Sequence, residues 1–253
     1  MTGRVVLAVI LAGIAAGLIM GVIQHVRLTP LILQAESFER ASDPHSHAPA
    51  AETGSTSAPA AGNAEGHDHD HDDGHDHDHG EGWSPADGWQ RTLATTVTAV
   101  MAGAGFAAVL AGLSLLTGLR ITRQNGAMWG LCGFLAVSLA PAAGLPPELP
   151  GMAAAELLPR QIWWVCTIAL TGAGLYLLAA RREAWAIALA ILVIALPHVI
   201  GAPAAPHEAS AVPAALAASF AANSLAANAI FWSCIGLFLG LALDRYAKDM
   251  DTA

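Results

Sequence analysis

Hydrophobic residues in this chain come in long, nearly unbroken blocks rather than at alternate or every-third positions. The blocks fall at Val5–Val26, Thr92–Leu119, Ala127–Ala143, Gln161–Ala180, Ala184–Ile200 and Ser224–Leu243. A helix of about 20 apolar residues crosses about 30 Å of hydrocarbon. The pattern therefore predicts an all-α, polytopic integral membrane bundle of six transmembrane helices. The third and fifth blocks are short enough to dip rather than cross, which leaves five spans as the alternative. Pro197 and Pro203 predict a kink or an early exit at the end of the fifth. Gly13, Gly17 and Gly21 recur every four residues, and Gly236 and Gly240 repeat the spacing. Such stripes suit close helix packing, although glycine is also common in membrane helices at large. The first block follows Arg4 as a signal peptide would. It is longer than a usual h-region and no small-x-small site follows promptly, so it reads as a retained span.

Between the first two blocks the periodicity vanishes. The chain thus divides into a first transmembrane helix (1–30), a His/Asp-rich metal-binding loop (31–91) and a transmembrane bundle of about five helices with short loops (92–253). From about Ser42 to Glu81, Pro, Ala, Gly, Ser, Asp and His dominate, and too few apolar side chains are present to offset ordering entropy. This predicts disorder, with an r.m.s. reach of roughly 40 Å for about fifty residues. Within it runs HDHDHDDGHDHDH, placing His67, His69, His71, His75, His77 and His79 among Asp68, Asp70, Asp76 and Asp78; His45 and His47 form a weaker upstream pair. Neutral imidazole is a borderline-soft ligand and carboxylate a hard one, so together they gather divalent transition metals without a preformed cage. The competing reading is a solvated linker, which Ser or Glu would serve equally well.

Charge sharpens the picture. The net charge of −9 is carried by this segment: Glu36 to Asp87 holds thirteen acidic residues against Arg40 alone. The remainder is mildly basic, and its bases are unevenly placed. Arg4, Arg120, Arg123, Arg181, Arg182, Arg245 and Lys248 fall on one side of a six-span arrangement, while Arg27, Arg40, Arg91 and Arg160 spread over the longer loops of the other. The positive-inside bias then puts both termini in the cytoplasm and the histidine loop outside it. Such an acidic loop is no nucleic-acid partner. Cys132, Cys166 and Cys234 lie in apolar blocks without CxxC spacing and read as small packing residues.

Ionisable groups near membrane depth are costly and tend to mark pathways. Gln24 and His25 end the first block, and Glu36 and Glu39 lie just beyond. Glu148 and Glu156 flank the Pro- and Gly-rich stretch PPELPGMAAAELLPRQIWW, whose Trp163 and Trp164 fit an interfacial belt. If the chain turns helical after Gly151, Glu156 and Arg160 stand at i and i+4 and pair. His198 lies near the outer end of the fifth block and His207 in the next loop, where an interfacial role competes with ligation. Asn223, Ser224, Asn228 and Ser233 in the last block read as interhelical hydrogen-bonding groups. The chain has no GxxxxGK[ST] and no HEXXH, and no apolar block carries the nickel–cobalt permease pattern of a histidine followed four residues on by Asp-His. With no nucleophile–base constellation either, the chain reads as no enzyme.

Several stretches together resemble the CbtA family: the first block ending in QHVRLTPLILQAESFE, the histidine loop, APAAGLPPELPGMAAAELLPRQIWW, ALPHVIGAP and FAANSLAANAIFWSCIGLFLG. The resemblance covers essentially the whole chain, and Pro141 to Trp164 is its most specific part. It implies a five- or six-helix inner-membrane subunit in bacterial cobalt uptake for cobalamin synthesis, with a small single-span, CbtB-like partner. The matching motif positions are Glu36, Glu39, Glu148, Glu156, Arg160, His198 and Pro203.

Two functions follow. In one, the loop concentrates Co2+ (with Ni2+ or Zn2+ as other candidates) and Glu36, Glu39, Glu148, Glu156 and His198 line its way inward. In the other, the chain is a membrane-anchored metal buffer or sensor. A tether needs one or two spans, so six favour passage.

Overall fold

A computed structural model describes residues 2–42, 88–206 and 210–251. Its elements are α1 (Thr2–Ile23), a π turn (Gln24–Leu28), α2 (Thr29–Ser42), α3 (Trp89–Thr117), α4 (Gly126–Phe134), a second π turn (Leu135–Leu139), α5 (Ala140–Ala142), α6 (Leu157–Ala180), α7 (Ala184–Ile200) and α8 (Ala214–Asp251). The architecture is all-helical, with no strand among the described residues. The histidine-rich run and His45, His47 and His207 lie outside them.

Four segments are long and apolar enough to cross a membrane: Gly3–Ala41, Trp89–Thr117, Leu157–Ala180 and Ala214–Arg245. Gly126–Ala142 and Ala184–Ile200 are apolar but shorter. Each has about 17 residues, the lower limit for a span. The first helix differs from expectation. It continues through the π turn to Ser42 rather than ending near residue 30, and its 39 residues from Gly3 to Ala41 would reach about 58 Å.

Both π turns have the same local cause. A proline ring offers no N–H and collides with the carbonyl four residues back. Pro30 and Pro141 would each meet such a carbonyl, of Val26 and Val137, and in both places that carbonyl lies inside the π turn. Widening the turn by one residue, with Thr29 N–H donating to Gln24 O and Ala140 N–H to Leu135 O, lets the helix run on. The Thr29 hydroxyl adds a second bond to Gln24 O at 3.1 Å.

Glycine sets the helix contacts. A Cβ on Gly13 would strike Gly103 O and lie 2.6 Å from Ala104 N; one on Gly17 would lie 2.6 Å from Ala99 O. A Cβ on Gly236 would strike Gly126 O and sit 2.6 Å from Gly130 N, and one on Gly240 would lie 2.5 Å from Thr122 O. The expected stripes are therefore the seams of two antiparallel pairs, α1 with α3 and α4 with α8. Without a hydrophobic drive inside lipid, close backbone approach is how membrane helices gain dispersion energy. Between the pairs, α1 packs on α8 around Trp232, Ile235 and Leu239, all essentially buried. Phe106 of α3 stacks on Trp232 with centroids 4.7 Å apart.

The hairpin α6–α7 is more lightly attached. Gly174 takes the Ile194 side chain, and α7 leans on α6 through buried Ala186, Ala190 and Pro197. Outward, Leu115, Leu116 and Val199 are more than four-fifths exposed, as lipid-facing side chains should be.

Candidate functional site

The antiparallel pairings fix which residues share an end. α2, the start of α3, residues 143–156 and the segment between α7 and α8 gather at one end. Arg4, Arg120, Arg123, Arg181, Arg182 and Arg245 gather at the other, where Arg123 N–H donates to Asp244 at 3.0 Å.

At the first of these ends, α3 starts at Trp89, so its first turn carries Arg91 toward α2. Arg91 grips Glu36 with both terminal nitrogens, one bond measuring 3.3 Å, and Arg40 approaches the same carboxylate at 3.6 Å. Glu39, one turn beyond Glu36, lies beside Gly151: a Cβ built there would be 3.4 Å from Glu39 Cβ. Gly151 holds φ +78°, a backbone that only glycine adopts without strain.

Residues 143–156 stay non-helical, and α6 begins only at Leu157. That changes one expected pairing. Glu156 is the N-cap of α6, its carbonyl accepting the Arg160 N–H at 3.3 Å, but its side chain is exposed, and the Arg160 guanidinium pairs instead with Glu148 at 3.4 Å. Trp163 organises the next layer. Its indole N–H donates to Pro197 O at 3.1 Å, and its ring meets His198 edge-on at 6.0 Å. The ring also sits so near Gly144 that a Cβ there would be 2.7 Å away. Trp163 is therefore buried, whereas Trp164 is exposed.

His25 faces α3, with Nδ1 3.4 Å from the Thr92 hydroxyl. The two residues, with Gly88, Trp89, Leu93 and Thr96, line a shallow groove of about 630 Å³. Gly88 is also where the segment bearing the histidine run rejoins the helices. Beside His25, the Gln24 side-chain oxygen is buried without a partner.

Of the expected pathway residues, Glu36, Glu39 and Glu148 share this end, Glu36 engaged by Arg91 and Glu148 by Arg160. Glu156 and His198 are exposed at the same end. Among the described residues no three His, Cys, Asp or Glu side chains form a metal-sized group. Sequence reasoning counted Arg91 only as a basic loop residue. An ion pair between positions 55 apart has no local signature that could have shown it.

These features define a multi-pass helical membrane protein with Glu36, Glu39, Glu148 and Glu156 at one end of its bundle. Residues 2–244 match the family model described as "Probable cobalt transporter subunit (CbtA)", and the chain belongs to that family. No curated protein and no solved structure matches it.

Proposed function

We propose that the chain is the bundle-forming subunit of an inner-membrane Co2+ uptake transporter, with both termini cytoplasmic. The family match over nearly the whole chain carries this reading, and the polar asymmetry of the two ends supports its direction. The periplasmic loop, with His45, His47, His67, His69, His71, His75, His77 and His79 and the interleaved Asp68, Asp70, Asp76 and Asp78, raises the local metal concentration. The cation then meets Glu36, Glu39, Glu148, Glu156 and His198 at the outer mouth. A potential of about 100 mV supplies about 4.6 kcal/mol for a divalent cation moving inward. An open imidazole loop favours Ni2+ or Cu2+ over Co2+, so selectivity falls to the helices and to a single-span, CbtB-like partner.

The test is accumulation of Co, Ni and Zn in metal-starved cells. It compares the intact chain, a deletion of His45–His79 and Glu148→Ala, each with and without the small partner. Cobalt uptake lost in Glu148→Ala, and weakened only at low cobalt by the deletion, is the expected result. No accumulation above empty cells in any arrangement refutes transport and leaves a membrane-anchored metal buffer or sensor.

A further inference from the structure

Two helices of the bundle are interrupted in the same way. α1 passes into α2 through the π turn Gln24–Leu28, with Pro30 two residues on. α4 passes into α5 through Leu135–Leu139, with Pro141 two residues on. A wide turn beside a proline has lost part of its regular hydrogen-bond ladder, and helices bend most readily at such points.

The segments beyond the two turns meet each other. Ala35 of α2 is fully buried and Leu149 of the 143–156 stretch nearly so, in a cluster completed by Val212 and Leu216. Gly151 abuts Glu39 nearby. This cluster is separate from the main core around Trp232 and Ile235, with only the partly buried Phe220 packed against both. It can therefore open without unpacking the bundle, as small satellite clusters do in local unfolding. Each segment is also tied sideways to an unbroken helix by an ion pair. Glu36 is held by Arg91 in the first turn of α3, and Glu148 by Arg160 in the first turn of α6. The carboxylates ride on the hinged segments and the guanidinium groups on the fixed helices.

We infer that α2 and residues 143–156 are the two leaves of an outer gate, hinged at the π turns and latched shut by Arg91–Glu36 and Arg160–Glu148. The inference rests on the transport reading for its purpose and on the geometry for its existence. Glu36 and Glu148 then have two roles in sequence: latched by arginine in the closed state, and exposed to the incoming cation when the leaves part.

The experiment has two arms. In the first, Cys132, Cys166 and Cys234 are replaced by serine and Ala35→Cys is introduced. Labelling by a membrane-impermeant maleimide is then timed with and without Arg91→Ala plus Arg160→Ala. Labelling at least fivefold faster in the absence of the arginines, at an unchanged unfolding temperature, is expected. An unchanged rate overturns the gate, as does acceleration that merely accompanies general unfolding. The second arm ties the two leaves together through Ala35→Cys/Leu149→Cys, both in that cluster, with a short bis-methanethiosulfonate that reduction releases. Cobalt uptake of the same double variant should fall at least tenfold on cross-linking and return on reduction; equal uptake in the linked and released states overturns the gate. If labelling responds to the arginines but the intact chain with its partner accumulates no cobalt, transport fails and the hinged latch stands.

Discussion

Replacing Gly236 by alanine adds one methyl group at the tightest point of the α4–α8 seam. That methyl would strike Gly126 O and lie 2.6 Å from Gly130 N and 2.8 Å from Gly130 Cα. All three neighbours are backbone, so no side chain can swing aside, and the helices must separate by roughly 1 Å to restore ordinary contact. A gap of that size forfeits about a third of the dispersion energy at the seam, where each atom pair contributes about 0.1–0.2 kcal/mol. Overpacking of this kind costs about 1–3 kcal/mol, against a helix-propensity gain of about 1 kcal/mol for Gly→Ala. The expected net loss is about 0–2 kcal/mol against the unchanged chain and about 1–3 kcal/mol against a Gly→Ala control in open space, and Gly236→Leu should prevent the pair from closing. Gly105 and Gly172 are the controls, because a Cβ at either meets nothing within 4 Å. Thermal or denaturant unfolding in detergent micelles measures the difference. If Gly236→Ala unfolds at the same midpoint as Gly105→Ala, the seam is not close-packed and the account of the bundle is wrong.

Other expectations follow from the Glu148–Arg160 end of the bundle and from the histidine segment. A double-mutant cycle on Glu148 and Arg160 should give a coupling of about 0.2–1 kcal/mol, as for partly exposed pairs, while Glu156 with Arg160 gives none; coupling at Glu156 instead would reverse the assignment. Trp163→Phe removes the indole bond to Pro197 O and should lower stability by about 1 kcal/mol, read in the same unfolding assay. Equilibrium dialysis of Co2+ or Ni2+ against the intact chain should show binding at pH 7.5 that falls sharply by pH 5.5. Protonation of imidazoles with an ordinary pKa near 6.5 removes ligands below that value; deletion of His45–His79 should abolish that pH-dependent fraction.

The apolar blocks made most of the fold legible, because a span in lipid must satisfy every backbone group within itself and so announces its length in sequence. Ala184–Ile200 matches its block residue for residue, and Gly126–Ala142 falls within one residue of it. The glycine spacing identified the seams but not the partners, since a small-residue stripe says how closely a helix packs and nothing about which helix. Two things were hidden. Proline at position 30 reads locally as a helix boundary, yet here a π turn absorbs the clash and α2 carries the helix on to Ser42. The ion pairs were hidden too, because only the antiparallel arrangement brings Arg91 to Glu36, and only a non-helical stretch up to Glu156 frees Arg160 for Glu148.

Those two surprises have one consequence for the site. Had the first helix ended near residue 30, Glu36 and Glu39 would belong to a loose tether and could meet a metal anywhere. Because the helix continues, both carboxylates are carried at fixed height on α2, facing Arg91 on one side and the Gly151 turn on the other. Arginine in that position competes with a cation for the same oxygens, so the Glu36 carboxylate at rest is neutralised rather than open. Removing Arg91 or Arg160 should therefore bare a carboxylate to any passing divalent ion. Under the transport reading, such variants should admit nickel and zinc alongside cobalt, and competition uptake with mixed metals measures it. Unchanged selectivity would mean that discrimination is made deeper in the bundle, below the π turns.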